Sequence, residues 1–344
     1  MSARRLAVVG ATGLVGSTVL AVLAARALGR RPLDLVLHRR EPPSVPPGLD
    51  IRTRFLDDYD FADVELAFFC LDEEGAQRHI PRALAAGAWV VDNSSLHRLD
   101  PDVPLLVPGV NDARLPPGGG GGIVANPNCS TIQLVHVLAP LEEGWGLGDV
   151  AVATYQSVSG AGREALEDFR RAASSPPDDP PPPIRGVARP LLHDVVAEIG
   201  PLDGEGWSRE ERKIARETRR ILDRPRLPVR ATAVRVPVAV GHGEAVFVRL
   251  KRPAVRADVQ AALAARPVLR VYADPAPGRA PSPRADAAGR DEIGVGRLRV
   301  DSEDPCLLAF WIVADNLRRG AATNAVEIAE RLLGRPEDAK PPPG

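Results

Sequence analysis

Hydrophobic residues in this chain are grouped differently in its two halves. Short apolar runs in the first, Arg4–Val9, Leu35–Leu37, Val64–Cys70 and Ala88–Val91, predict buried strands, with stretches of helical composition between them at Leu14–Leu28 and Glu74–Ala86. Strands spaced by helices predict a parallel, doubly wound α/β sheet. Later segments, Val150–Ser157, Arg230–Val240, Ala245–Leu250, Val268–Tyr272 and Cys306–Val313, read as strands of a second sheet in an appended α+β domain. Asn316–Leu333 has helical spacing and precedes a proline-rich tail, while Gly118–Gly122, Ser174–Pro183 and Asp274–Arg290 read as loops. The expected organisation is a first domain over 1–128, a second over 129–314, a helix over 315–335 packing back on the first domain, and a flexible tail over 336–344.

Composition narrows the functional classes. Across 344 residues, 44 basic side chains face 45 acidic ones, so there is no cationic excess of the kind a nucleic-acid or membrane-surface partner requires. Three cysteines form no disulfide pattern and point to a reduced, cytoplasmic setting. The uncharged stretch Leu6–Ala25 after Arg4 and Arg5 resembles a secretory signal only superficially, because Gly10, Thr12, Gly13, Gly16 and Ser17 interrupt it. Basic positions are nearly all arginine, with three lysines, and asparagine occurs six times, so each Lys or Asn is more informative than usual.

The first strand and helix are joined by Gly10-Ala11-Thr12-Gly13-Leu14-Val15-Gly16. Small residues there let the backbone approach a pyrophosphate, and the helix N-terminus offers unpaired N–H groups and the positive end of its dipole. After the second strand stands His38-Arg39-Arg40, where an NAD site usually carries an acidic residue for the ribose hydroxyls. Arg39 and Arg40 suit a 2′-phosphate, so the expected cofactor is NADP.

Asn126-Pro127-Asn128-Cys129-Ser130-Thr131 precedes the helix-compatible run Ile132–Leu138. A cysteine at that junction lies near helix N–H groups that favour a thiolate and can hold an oxyanion beside it. Cys70 and Cys306, next to apolar strands, are expected to be inert core residues. Over Ser208–Leu222, Ser208 and Glu211 have capping-box spacing. Ile214, Thr218, Ile221 and Leu222 make the inward stripe; Glu210 falls on that stripe and needs a cationic partner, with Lys213 one turn away. Arg235 and His242 are seven apart, on opposite faces of a straight strand, so a bend at Pro237, Gly241 or Gly243 is required for them to converge.

Gly10–Gly16, Asp92-Asn93-Ser94-Ser95, Asn126–Thr131, Tyr155–Gly162 and Asp315–Ala322, in that order, resemble the aspartate-β-semialdehyde dehydrogenase family. The resemblance runs to about Glu330. It implies a Rossmann-type NADP-binding domain, a catalytic and dimerisation domain, and a homodimer or homotetramer without a metal. It also implies NADPH-dependent conversion of L-aspartyl-4-phosphate to the semialdehyde and phosphate, in the biosynthesis of Lys, Thr, Met, Ile and diaminopimelate. By resemblance Cys129 is the nucleophile, Gln156 orients the acyl group and His242 is the general acid/base. Arg235 takes the substrate carboxylate and Glu210 its ammonium; Arg98, Asn128 and Lys213 contact phosphate; and Ser159, Gly160 and Asn316 approach the cofactor. Leu191-Leu192-His193-Asp194 departs from the family's Phe-Asn pairing, and Gly118–Gly122 enlarges a loop. Two rivals are an N-acetylglutamyl-phosphate reductase, whose acylated substrate nitrogen would give Glu210 no cation to meet, and a non-catalytic dimeric paralogue.

Overall fold

The computed structural model describes residues 5–37, 45–116, 120–174, 182–272 and 277–334. His38-Arg39-Arg40, Gly118 and Gly119, most of the Ser174–Pro183 segment and the expected tail lie outside the described residues. The chain forms two compact units, 1–127 with 321–344, and 128–320.

The first unit is built on β1 (Arg5–Val9), α1 (Leu14–Ala24), β2 (Leu33–Leu37), β3 (Ile51–Phe55), β4 (Val64–Phe69), α2 (Glu73–Ala85), β5 (Trp89–Asp92) and β6 (Gly122–Ala125). Its strands run parallel in the order β3-β2-β1-β4-β5-β6. The unbroken apolar runs have a simple cause: both faces are covered. Leu6 and Val8 of β1 join Leu66 and Phe68 of β4 in one core, whereas Ala7 and Val9 join Ala67 and Phe69 in the other. The last helix among the described residues, Thr323–Leu333, packs on α1 and β5. Four of the six asparagines tie this unit together. Asn93 Nδ2 donates to Phe69 O, Asn126 Nδ2 to Asn93 Oδ1 and Ala321 O, and Asn324 Nδ2 to Asn126 Oδ1 and Leu106 O. Asn111 Nδ2 donates to Leu105 O.

The second unit contains α3 (Cys129–Trp145), β7 (Leu147–Gln156), α4 (Arg163–Ala172), α5 (Arg209–Ile221), β8 (Val229–Arg235), β9 (His242–Leu250), α6 (Arg256–Ala264), β10 (Leu269–Tyr272), β11 (Ile293–Val300) and β12 (Leu307–Ala314). Its sheet is mixed, in the order β10-β11-β12-β9-β7-β8, with β7 parallel to β8 and antiparallel to β9. Val150 and Val152 of β7, Val246 and Val248 of β9, and Phe310 and Ile312 of β12 pack in one core with Leu134 and Leu138 of α3 and Val259 of α6. Side chains on the opposite face include Tyr155 and Phe247, exposed by 38% and 57%. That one-sided covering produces the alternation Val246-Phe247-Val248-Arg249.

The structure corrects one expectation of strand geometry. Arg235 ends β8 and His242 opens β9, two strands on either side of β7, so they do not share one bent strand. The expected helix from Asn316 begins instead at Thr323, after a π-helical turn at Arg318–Ala322. Among the described residues, no helix is long and apolar enough to cross a membrane.

Candidate active site

One end of the second sheet gathers the predicted chemistry. In register, Gln156 on β7 lies beside Arg235 on β8, and Tyr155 lies beside Gly243 on β9, so His242 flanks Gln156 from the other side. Gln156, Arg235 and His242 are all buried. A Cβ on Gly160 would lie 3.0 Å from Arg235 Nη1 and 3.4 Å from both Cε1 and Nε2 of His242, so only a glycine leaves that pair uncovered.

Cys129 is the first residue of α3, and Asn128 is its N-cap. Asn128 Oδ1 accepts from the N–H groups of Ser130 at 3.0 Å and Thr131 at 3.2 Å, satisfying two of the helix's otherwise unpaired donors. The other half of the Asn128 amide reaches α5, where Nδ2 donates to Glu210 Oε1 at 2.8 Å. Gln156 Nε2 donates to the same Glu210 oxygen at 3.2 Å and to Ser130 Oγ at 3.1 Å. Glu210 thus faces inward, as its position on the stripe predicts. No ion pair joins it to Lys213 among the described residues; Lys213 is half-buried on α5.

Ser208 and Glu211 form the expected capping box, and Glu211 Oε1 also accepts from Ala233 N of β8 at 3.0 Å, fastening α5 to the sheet. Glu217 escaped the sequence reading. It is buried at 1% exposure, and its Oε2 accepts from Asn128 N at 2.6 Å. The signal was available, because Glu217 follows Glu210 by seven residues and so lies on the same helical stripe. Two α5 carboxylates therefore hold the residue before the cysteine, one by its side chain and one by its backbone.

Arg235 Nη1 donates to Ser157 O at 2.7 Å. Burial pushes its guanidinium below the ordinary arginine range, opposed by Glu210 and Cys129 nearby. Burial, and then Arg235, hold the His242 imidazole down at about 3. His242 Nδ1 is 3.1 Å from both Ser157 N and Ser157 Oγ. Asn316 and Ser159, expected at a cofactor, are buried and bonded to each other, with Asn316 Nδ2 donating to Ser159 Oγ at 3.0 Å.

The turn carrying Asp315–Ala322 also serves this site. Asp315 Oδ1 accepts from Leu317 N and Arg318 N, and Asp315 Oδ2 from Gly289 N, which shapes the turn. Gly320 then meets Cys129: a Cβ there would lie 2.8 Å from Cys129 Cβ.

Arg98 lies in the first unit, buried, with Nη2 donating to Asn93 O at 2.8 Å. In the same unit the Gly10–Gly16 loop joins β1 to α1. A Cβ on Gly10 would stand 2.7 Å from Cys70 O, and one on Gly16 2.4 Å from Gly10 O. No side chain caps α1, and its first turn carries no acidic residue. That glycine-lined, uncapped helix start fits a pyrophosphate. Burial, followed by Asp92, pushes the Cys70 thiol up to about 12, consistent with an inert residue. Cys306 is half-buried just before β12 rather than in a core. Among the described residues, no group of three or more His, Cys, Asp or Glu side chains is gathered to hold a metal.

The family model described as the semialdehyde dehydrogenase NAD binding domain matches residues 5–116, and that described as the semialdehyde dehydrogenase dimerisation domain matches residues 138–319. Aspartate-semialdehyde dehydrogenase of Legionella pneumophila is 40% identical over 331 residues, covering 95% of this chain and 94% of that protein. The Bacillus subtilis protein of the same name is 36% identical over 336 residues, covering 95% and 96%. Among solved structures, aspartate semialdehyde dehydrogenase II of Vibrio cholerae complexed with ASA superposes with a TM-score of 0.89 at 33% identity, covering 98% of this chain and all of that one. The chain belongs to the aspartate-semialdehyde dehydrogenase family.

Proposed function

We propose that this protein catalyses the reversible, NADPH-dependent reductive dephosphorylation of L-aspartyl-4-phosphate to L-aspartate-4-semialdehyde and phosphate. One observation carries the reading: in a chain of this family, Gln156, Arg235 and His242 share one end of one sheet, and Glu210 is hydrogen-bonded both to Gln156 and to Asn128, the residue before Cys129.

In the reductive direction the Cys129 thiolate attacks the acyl carbon; the bond from carbon to the phosphate oxygen breaks, and phosphate departs with the electron pair, leaving a thioester. Asn128 and Lys213 receive the phosphate. Bound NADPH supplies the hydride that reduces the thioester. Arg235, a planar fork suited to two carboxylate oxygens, holds the substrate's α-carboxylate, while Glu210 takes its α-ammonium. Gln156 orients the acyl group and His242 serves as the general acid/base. Gly10–Gly16 would hold the cofactor's pyrophosphate, and Arg39 and Arg40 the 2′-phosphate that distinguishes NADP from NAD.

The open face of the second sheet, with Tyr155 and Phe247, pairs with the same face of a second copy. That dimer is the building block of either a homodimer or a homotetramer. Three cysteines with no disulfide among the described residues fit cytoplasmic residence.

The test is formation of NADPH from aspartate semialdehyde, phosphate and NADP, followed by absorbance, with N-acetylglutamate semialdehyde as the competing substrate. Turnover of the unacetylated substrate is expected, together with its loss in Cys129→Ala while NADP binding persists. Preference for the acetylated substrate, or turnover in Cys129→Ala, would refute the assignment.

A further inference from the structure

A polar pair lies in the core of the second unit, one layer behind the site. Glu244 on β9 and Gln133 on α3 are both 0% exposed. Among the described residues, neither oxygen of Glu244 and neither polar atom of the Gln133 amide has a hydrogen-bond partner. Gln133 nevertheless faces the carboxyl as its hydrogen-bonding neighbour, so the two side chains meet across an unclosed gap.

Their places in the fold align them with the chemistry. Gln133 follows Cys129 by four residues, one turn along the same side of α3. Glu244 follows His242 by two, on the same face of β9 as Val246 and Val248, which pack in one core with Leu134 and Leu138 of α3. Within the sheet Glu244 lies beside Thr154 of β7 and Ile312 of β12. Thr154 Oγ1 accepts from Gln156 Nε2 at 3.3 Å, so this inner layer touches the site above it.

Burial and bonding decide the charge of the pair. A carboxylate wholly out of water requires a cation or several donors, and Glu244 has neither. Gln133 from α3, Thr154 from β7, Ile312 from β12 and His242 on its own strand surround it; Arg235, Glu210 and Cys129 are the other titratable groups at this end of the unit. Burial holds the carboxyl's proton, and Gln133 alone opposes it. A carboxylic acid matches an amide group for group: its O–H donates to the amide oxygen, and the amide N–H donates to its carbonyl oxygen. Rotation about the two terminal torsions closes both bonds. A carboxylate in the same place would stand behind the Cys129 sulfur and oppose its ionisation.

We infer that Glu244 and Gln133 form an uncharged acid–amide pair and are positioning residues: the pair ties α3 to β9 directly beneath Cys129 and His242 and keeps negative charge away from the sulfur. This deepens the semialdehyde dehydrogenase reading and rests on it.

Difference infrared spectroscopy of the full chain against Glu244→Gln reads the charge directly. At neutral pH the wild type is expected to show the carbonyl stretch of a buried carboxylic acid, lost in the variant; a carboxylate band in its place overturns the proposal. The rate of Cys129 alkylation by iodoacetamide, followed against pH, is expected to have the same midpoint in both proteins. A lower midpoint in Glu244→Gln would reveal an anionic Glu244 in the wild type and equally overturn it. Position is read from turnover of aspartate semialdehyde. Glu244→Leu and Gln133→Leu are each expected to lose about tenfold in kcat with the KM values for semialdehyde and NADP unchanged, and Glu244→Gln to rescue most of that loss. The double variant Gln133→Leu/Glu244→Leu leaves no polar group unpaired, so a merely structural role predicts that its kcat returns, whereas positioning predicts that it stays low. Recovery in the double variant, or kcat within about twofold of wild type in both single variants, overturns the positioning role. Should the leucine variants fail to fold, Gln133→Met, of nearly the same shape as the native side chain, carries the same expectation. Absence of semialdehyde turnover in the wild type would refute the assigned reaction and leave the infrared result to stand by itself.

Discussion

Gly320→Ala probes how closely the position of Cys129 is specified. An added Cβ would lie 2.8 Å from Cys129 Cβ, 3.2 Å from Cys129 Cα and 3.4 Å from Cys129 O. Carbon atoms pack best at about 3.5–4.0 Å, so the shortfall is on the order of 0.7–1.2 Å, and the atoms in the way are backbone and Cβ rather than a flexible tip. Gly320 has no left-handed φ, so alanine adds only volume. Either the Arg318–Ala322 turn or the start of α3 must move. Overpacking of this kind costs about 1–3 kcal/mol of stability. Displacing a reacting atom by about 1 Å costs up to about a hundredfold in rate, so kcat should drop about ten- to a hundredfold. Turnover of aspartate semialdehyde, alkylation of Cys129 by iodoacetamide and the thermal midpoint would be measured together. If kcat and the alkylation rate both stayed within about twofold of wild type, the packing of Gly320 on Cys129 could not be what positions the sulfur.

Glu217→Ala leaves the Asn128 N–H buried without its carboxylate and should cost about 1.5–3 kcal/mol in urea unfolding, whereas an unchanged midpoint would remove Glu217 from the account of how α3 is held. Glu210→Gln keeps an oxygen for Asn128 and Gln156 but not the charge, so KM for aspartate semialdehyde should rise about tenfold or more; an unaltered KM contradicts ammonium recognition. Between about 6.5, the unfolded value, and about 3, unfolded His242 binds a proton that the folded state refuses; stability should therefore fall as pH drops through that window, and His242→Gln should lessen the fall. Glu244 on β9 behaves oppositely, since burial raises its carboxyl well above the ordinary range and the folded state keeps a proton that the unfolded chain releases. Glu244→Gln should therefore gain stability over wild type as pH rises from about 5 to about 8, and a thermal-midpoint difference independent of pH would show that Glu244 is ionised in the fold.

Legibility in the sequence follows burial geometry. Strands covered on both faces, such as β1 and β4, announce themselves as apolar runs, and β2, β5, β7, β9 and β12 are readable from their core positions. Three strands carried too little signal. In β3, Ile-Arg-Thr-Arg-Phe at the sheet edge, every residue after a half-buried Ile51 is exposed, so no apolar face exists to be seen. β6 begins at Gly122 and is four residues long. β11 is interrupted by Gly294 and Gly296, where a side chain would strike Val313 Cγ2 at 2.8 Å and Pro281 Cδ at 2.4 Å. Glycine there is a packing requirement, although in a sequence it looks like a break. The capping box and the inward Glu210 were readable because local helix geometry fixes them.

The spacing argument for Arg235 and His242 failed for a reason that local periodicity cannot reveal. Alternation along a strand says which face a side chain takes, but pairing order says which neighbours it meets, and β7 lies between the two strands although it precedes both in the chain. That insertion is what brings Gln156 between the arginine and the histidine. It also explains why six connecting residues suffice: Arg235 ends a strand parallel to β7 and His242 starts one antiparallel to it, so the connecting residues need only cross the end of β7. Along that crossing, Gly241 N donates to Asn316 Oδ1 and Val238 O accepts from Val158 N, so the link between the arginine and the histidine is itself fastened at both of its neighbours. The site's precision is thus a property of strand order, and a substitution that loosened the Val236–Gly241 crossing would separate Arg235 from His242 without touching either side chain.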